Sequence, residues 1–504
     1  MTANNDEAAS EPAIPATPAR PDHAAALSII VGIMLAMFLS ALEQTIVAPA
    51  LPTIGRALGD VEALSWVITA YLISTTVATP LFGKLSDIYG RRAMMLVSLG
   101  IFTAGSVACA LAPSIGVLVA ARALQGFGGG GLLPLGQTVI ADLLTPRERP
   151  VVQSYSSAMF MAACVLGPVL GGVLTDYVHW SLIFWLNLPL GIVAIAMTDR
   201  SLRRLPRHER PHKLDFIGAA LMVAATVVLL LALSWGQRYG WASPQILGLV
   251  AGSTMLWAAF AWRLVRAPEP FIPLTMLKDK VVFGIVVAGF FSIGTIIGLS
   301  IFFPLYVELV LGGSPSESGL VLIALMCGAT AGSMVAGRLI SRLERYKRVP
   351  AIGLPVAIAA LTVFAIWPGE LSLLQVSLLL AAGGAGLGPM YPSTTLIMQN
   401  AVPLHQLGIA TGTLSFFRQL GGAIIVAVFA AIVLGGIGAG GLDKLAGMAA
   451  TAQTFTPLFR LVFIAAAVFL AIAFVALVAI EEQPLHGPER TRDSQREGKP
   501  VAAE

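Results

Sequence analysis

Ala41-Leu-Glu-Gln-Thr-Ile-Val-Ala-Pro-Ala-Leu-Pro52 places a carboxylate, Glu43, inside the first long apolar run of the chain, residues 26–50. Carrying a charged acid into hydrocarbon costs at least ~2.5 kcal/mol, so an acid there marks a functional site by default. The apolar cores of the other runs hold no acid away from their ends. If the protein moves protons, Glu43 is the first residue to examine. The alternative is an acid locked in a permanent pair with a basic neighbour.

Composition explains why that setting is hydrocarbon. The 504 residues are 57% hydrophobic and 12% charged, with a mean hydropathy of +0.83, whereas soluble domains carry about 25% charged residues. The expected class is an all-α polytopic membrane protein, set in a lipid bilayer and not on nucleic acid. Cys109, Cys164 and Cys327 all fall in apolar runs, which argues against a disulfide framework. The Pro-, Ala- and Glu-containing stretch 1–25 has no basic n-region and reads as a disordered cytoplasmic tail.

A spanning helix needs about 20 apolar residues. Fourteen runs qualify: 26–50, 62–84, 93–113, 115–140, 152–175, 181–198, 215–234, 244–262, 281–306, 317–337, 349–367, 371–398, 408–434 and 457–480. Lys and Arg in the connections orient them. The even connections hold Arg91 and Arg92; Arg147 and Arg149; Arg200, Arg203, Arg204, Arg207, Arg210 and Lys213; Arg263, Arg266, Lys278 and Lys280; and Arg342, Arg345, Lys347 and Arg348. The odd connections hold only Arg56, Arg238 and Lys444. Both termini are therefore expected in the cytoplasm, with the protein in the cell (inner) membrane.

Internal echoes divide the chain. Gly83-Lys-Leu-Ser-Asp-Ile-Tyr-Gly-Arg-Arg92 returns as Gly337-Arg-Leu-Ile-Ser-Arg342, Gly126, Gly128 and Gly130 as Gly384, Gly386 and Gly388, and Leu170-Gly-Gly172 as Leu420-Gly-Gly422, at offsets of 254, 258 and 250 residues. Near-equal offsets point to related halves with a site between them. The expected organisation is a tail (1–25), a six-helix bundle (26–198), a basic loop (199–214), two inserted helices (215–262), a linker (263–280), a second six-helix bundle (281–480) and a tail (481–504).

Glu43 and Arg122, on the first and fourth runs, both lie ~7 Å outward of the midplane at 1.5 Å per residue. They can meet or face one cavity, and an acid beside a cation is a tunable proton site. A permanent brace between two helices is the other reading of Arg122. Gln44, Thr45 and Gln125 flank these two, and Arg418 with Gln419 occupies the middle of the thirteenth run; all are candidate cavity residues, Arg418 either lining the cavity or pairing with a carbonyl. Glu308, after Pro304 and Tyr306, stands at the outer end of the ninth run as a cavity-mouth candidate. Gly167-Pro168-Val-Leu-Gly171-Gly172 reads as a kink and a close-packing face. Aromatics such as Trp66, Tyr71, Phe160 and Trp235 could stack on an organic cation. Gly83, Asp87, Gly90, Arg91 and Arg92 form a loop in which Asp87 can meet a helix N-terminus or Arg91, or one that only sets topology.

Together these segments resemble the major facilitator superfamily, in its fourteen-helix drug:proton antiporter branch. Gly83–Arg92 resembles the superfamily's loop signature, departing at Ile88 and Ala93. Arg122-Ala-Leu-Gln125-Gly126 resembles its fourth-helix signature, whose Arg is implicated in proton coupling, and Gly167–Gly172 resembles the fifth-helix signature of exporters. Leu42–Pro52 resembles the branch's first-helix motif, with Glu43 in place of the usual Asp and Ala48 in place of Asn. Trp180–Gly191, Asp215–Gly218 and Pro304–Tyr306 also fit the branch.

The resemblance implies a major facilitator fold and a proton-coupled antiporter exporting amphipathic, cationic compounds by alternating access, as a functional monomer with no cofactor. A dedicated exporter of a metabolite, lipid or siderophore is the alternative. A non-transporting receptor or scaffold would have no reason to bear the burial of Glu43, Arg122 and Arg418. No Walker-type phosphate loop is present, and six scattered His suggest neither a metal cluster nor a catalytic triad. Cysteine labelling tests the orientation: position 207 should be protected from an outside reagent and position 444 should react, and the reverse pattern would refute it.

Overall fold

The structure, a computed structural model, describes residues 23–59, 63–203, 214–343, 345–435 and 452–482. Residues 1–22 of the expected tail, Arg204, Arg207, Arg210, Lys213, Lys444 and the tail from 483 lie outside the described residues. Among the described residues, fourteen helical spans are long and apolar enough to cross a membrane. The first seven are α1 (Ser28–Leu58), α2 (Leu64–Tyr89), α3 (Arg91–Ala110), α4 (Ile115–Leu143), α5 (Arg149–Tyr177), α6 (Leu182–Arg200) and α7 (Phe216–Gly236). The others are α8 (Pro244–Arg266), α9 (Lys280–Leu309), α10 (Ser316–Arg342), α11 (Arg348–Ile366), α12 (Leu373–Ala401), α13 (Leu404–Val433) and α14 (Gln453–Ala479).

Local chemistry sets the breaks and starts. Pro49 lacks an N–H, so α1 loosens into a short 3-10 turn at Ala48–Ala50 before resuming to Leu58. The same span therefore runs beyond the expected end at residue 50. Gly388-Pro389 interrupts α12 in the same way. Ser314 with Glu317 and Ser372 with Gln375 form reciprocal capping boxes that start α10 and α12. Asp215 caps α7 and takes two bonds of 3.0–3.1 Å from Arg263 of α8, tying the two inserted helices together.

Helices α1–α6 pack on one another, and α9–α14 do the same. The α7–α8 pair lies against the seam, α7 touching both α2 and α13. Trp66 and Trp235 meet there at 5.7 Å between ring centroids, and Trp257 of α8 lies 6.3 Å from Phe416.

The glycine echoes have matching structural roles. A Cβ on Gly126 or Gly130 would strike the backbone of α2 at Tyr71 or Thr75, and one on Gly128 would strike α3 at Phe102. In the second half, Gly384 and Gly388 abut α10 at Leu325 and Ala329, while Gly386 abuts α11 at Gly353. Gly171 sits on the Ile46 carbonyl of α1 and Gly421 on the Phe290 carbonyl of α9. The repeat in sequence is thus a repeat of helix contacts, in which lost Cβ atoms permit the close approach that holds helices together in lipid.

The described basic residues of the even connections gather at one end of the molecule, called here the basic end. Hydrogen bonds between the two halves, among the described residues, run from the middle of the molecule to that end. Ser333 Oγ donates to Ser157 Oγ at 2.9 Å, Gln399 Nε2 to the Gln137 carbonyl at 3.2 Å, and Gln419 Nε2 to Thr79 Oγ1 at 3.1 Å. The halves are closed on each other at the basic end.

Packing this tight has a measurable cost when disturbed. Gly332 rests on the Ala385 backbone, so Gly332→Val should destabilise the protein by about 1–3 kcal/mol. Gly319→Ala, whose Cβ would meet nothing within 4 Å, should leave the thermal midpoint in detergent unchanged. Equal midpoints for both variants would contradict the packing argument.

Candidate functional site

Five helices of the first half send groups to one point. Glu43 comes from α1, Ser106 from α3, Arg122 and Gln125 from α4 and Asn187 from α6, while α2 supplies the Val67 carbonyl and the Tyr71 ring. Glu43 Oε1 is ion-paired with Arg122 Nη1, and its Oε2 accepts from Asn187 Nδ2. Arg122 Nη1 also donates to Gln125 Oε1 at 2.6 Å, and its Nε donates to the Val67 carbonyl at 3.1 Å. Gln125 Nε2 and Asn187 Nδ2 both reach Ser106 Oγ, at 2.8 and 3.3 Å. The guanidinium carbon lies 4.2 Å from the Tyr71 ring centroid and 5.7 Å from that of Phe184.

The network is sealed: Glu43 is 0% and Arg122 1% exposed. Two charges taken out of water are tolerable when paired and hydrogen-bonded, and breaking such a pair by removing one partner costs about 3–5 kcal/mol. The depth match between Glu43 and Arg122 holds, and the two meet. Tyr71 does stack on a cation, and that cation is Arg122 of the chain itself. Gln125 belongs to this network and is turned into the bundle. Gln44 bonds back to the Ser40 carbonyl of its own helix at 3.3 Å. Thr45 donates to the Ala163 carbonyl of α5 at 3.0 Å, where Gly167 makes room for it. The Gly167–Gly172 run, with Pro168 exposed on its outer side, therefore seats α5 beside the turn of α1 that bears Glu43.

A second element is the lock at the basic end. Asp87 Oδ1 accepts from the Gly408 N–H at 3.0 Å and Oδ2 from the Ile409 N–H at 2.8 Å, so a carboxylate of α2 caps the first turn of α13 in the other half. Arg91 pairs with Asp87 and with Asp142 at 3.0 Å, and Arg92 pairs with Asp199. Gly83 lies on α13, where a Cβ would come within 2.5 Å of the Gly408 carbonyl oxygen. Gly90, at φ +90°, makes the turn into α3 that brings Arg91 back to Asp87.

The third element is Arg418 on α13, 3% exposed. Its Nη2 donates to the Tyr391 carbonyl at 3.1 Å, to Thr395 Oγ1 at 2.9 Å and to Thr394 Oγ1. The guanidinium also lies 4.5 Å from the Tyr391 ring centroid. Beside it, Gln419 joins Thr76 and Thr79 of α2 at 3.2 and 3.1 Å. Glu308 is not part of either cluster. It is exposed at the far end of α9 and accepts from Ser318 Oγ at 3.0 Å. A cavity of about 370 Å³ at that end, between Val310 and Arg460, does not include it.

Sequence reasoning missed Asn187, Ser106 and the Val67 carbonyl as members of the buried network, and Gln137 and Tyr391 as a bridge between halves. An Asn within a spanning run was the available signal for the first, because an amide in lipid needs a partner.

The chain matches the profile of the Major Facilitator Superfamily over residues 33–426. It is 33% identical over 406 residues to the multidrug transporter protein MdtP of Bacillus subtilis (strain 168), covering 80% of this chain and 75% of that one. Multidrug resistance protein 3 of the same organism is 31% identical over 405 residues, covering 80% and 79%. The crystal structure of a bacterial homologue of the iron transporter ferroportin, in an outward-facing state, has a TM-score of 0.63 at 14% identity, over 90% of this chain and 100% of that one. At that identity the likeness shows the fold alone. Family profile, relatives and the fourteen-span fold agree: this chain belongs to the major facilitator superfamily, as a transporter similar to multidrug efflux proteins.

Proposed function

We propose that this transporter is a proton-coupled antiporter exporting amphipathic organic compounds, and that it works as a monomer in the cell (inner) membrane with the basic end and both termini in the cytoplasm. The observation that carries the reading is the sealed Glu43–Arg122 pair and its connection to α2. Arg122 holds α2 by the Val67 carbonyl and the Tyr71 ring. Further along the same helix, Thr76 and Thr79 bond Gln419 of the other half. At its end, Asp87 caps α13. One rigid element therefore links the acid to the lock between the halves.

Protonating Glu43 removes the charge that balances Arg122. The guanidinium is then left with neutral partners, a different balance of forces on Val67 and Tyr71, and α2 is favoured in a different position. A shift of α2 disturbs the Asp87 cap on α13 and lets the halves part at the basic end. Substrate and proton are exchanged if they bind alternately, with opposite preferences for the two arrangements. Arg122 need not line the substrate path for this coupling to operate.

Two measurements test the scheme. Glu43→Gln should abolish both gradient-driven dye transport in proteoliposomes and proton release on adding a transported dye to the detergent-solubilised protein, while dye binding persists; Glu43→Asp should retain part of the activity. Proton release by the Gln variant equal to wild type would move coupling elsewhere, with Glu308 the next acid to test.

Asp87→Asn keeps the shape of the side chain but loses its charge and one of the two oxygens that accept from Gly408 and Ile409. Hydrogen bonds to charged groups contribute roughly 1.5–3 kcal/mol, so closure at the basic end should weaken by an amount of that order. A cysteine at position 333, now against Ser157, should become several-fold more reactive to a water-soluble maleimide in the Asn variant, with expression near normal. Unchanged reactivity together with wild-type transport would reduce the Gly83–Arg92 loop to a topology signal.

A further inference from the structure

Arg418 is a buried cation that the coupling scheme does not use. Among the described residues, Nη2 alone accounts for all three of its hydrogen bonds, while Nε and Nη1, with three N–H groups between them, have no partner. No carboxylate pairs with it among the described residues. The Tyr391 ring covers one face of the guanidinium, and that ring supplies no acceptor for the edge N–H groups. Arg122 shows how the same chain satisfies a buried cation with its own groups: it receives a carboxylate, an amide and a carbonyl. Bonding the Tyr391 carbonyl and two threonines needs only a neutral donor, so a positive charge at this position is unexplained by packing. A charged group this far from water is costly unless something offsets it.

Its position says when that offset arrives. Two bridges between the halves flank Arg418: Gln137 of α4 donates to the Tyr391 hydroxyl, and Gln419 joins Thr76 and Thr79 of α2. When the halves part, both bridges open, and the ring and guanidinium they cover come to face the space between the halves. The Gln137 Oε1 and Ser393 Oγ atoms, buried and unpartnered in the closed arrangement, add neutral polar groups on α4 and α12. Glu43, by contrast, is sealed in the first half with its charge already balanced, so it offers nothing to a positively charged substrate.

We infer that Arg418 is the subsite for an anionic group, either a carboxylate carried by the transported compound or an inorganic anion such as chloride. This rests on the transport reading above and names a substrate class for it. The cationic substrate that the resemblance implies gives way to an anionic or zwitterionic amphipath, held by charge on Arg418 and by apolar and aromatic surface around it.

The test uses purified full-length protein in detergent and two dyes of one skeleton: rhodamine B, a zwitterion with a free carboxylate, and its ethyl ester, a cation. Wild type should bind rhodamine B roughly tenfold more tightly than the ester, about one charge-assisted contact. Arg418→Gln should bind the two alike. Arg418→Lys should keep part of the preference, because it keeps the charge but not the fork; it also serves if the Gln variant does not fold.

Replacing gluconate by chloride at constant ionic strength separates the two sources. If the natural occupant is inorganic, chloride should raise binding of the ester, or the thermal midpoint of the dye-free protein, in wild type and not in Arg418→Gln. Equal binding of the two dyes by wild type with no chloride effect overturns the inference. So does a preference or chloride response that the Arg418 variants share in full. Binding is read without a proton gradient, so loss of the carboxylate preference and loss of proton coupling are separate outcomes.

Discussion

A charge in hydrocarbon must be balanced within reach, and the Glu43–Arg122 pair is where the first half of this protein meets that requirement. Everything around the pair follows from it. Asn187 and Ser106 satisfy the oxygens and amide groups that the pair leaves over, and the Val67 carbonyl takes the guanidinium Nε donor. Three glycines on α4 let α2 and α3 come close enough for those bonds to form. Remove the pair, and five helices lose a common polar centre that lipid cannot replace.

The same requirement is met differently in the second half. Its framework repeats the first down to which glycine touches which helix, yet its buried arginine has hydroxyls and a carbonyl in place of an acid. Helix contacts are therefore alike in the two halves, while the partners of the buried arginines differ. On the proposed antiport reading, the pair in the first half answers to protons and Arg418 in the second half to cargo.

Much of this was legible in the residues. Hydropathy fixes the depth of a side chain, since each residue advances the helix by about 1.5 Å, and depth puts Glu43 and Arg122 at one level, where they can meet or face one cavity. Periodic echoes fixed the pairing of helices between halves. What hydropathy cannot fix is rotation about the helix axis when a helix is apolar on every side. That is why Gln44, Thr45 and Gln125 read as cavity candidates alike, whereas Thr45 packs against α5 and Gln125 points into the bundle. It is also why Glu308 reads as a site residue and stands apart from both clusters. The Val67 carbonyl was invisible for a different reason: backbone acceptors leave no mark in composition.

The placement of α7 against both α2 and α13 has a consequence for how lipid meets the protein. The two halves adjoin along two seams, α2 with α13 and α5 with α10. The first is roofed by α7, with α8 behind it, and by the Trp66–Trp235 contact; the second has no such cover from the inserted pair. The α5–α10 seam is the one the inserted pair leaves uncovered, so the two seams meet the bilayer unequally. The inserted helices make a pseudo-symmetric carrier one-sided toward its membrane.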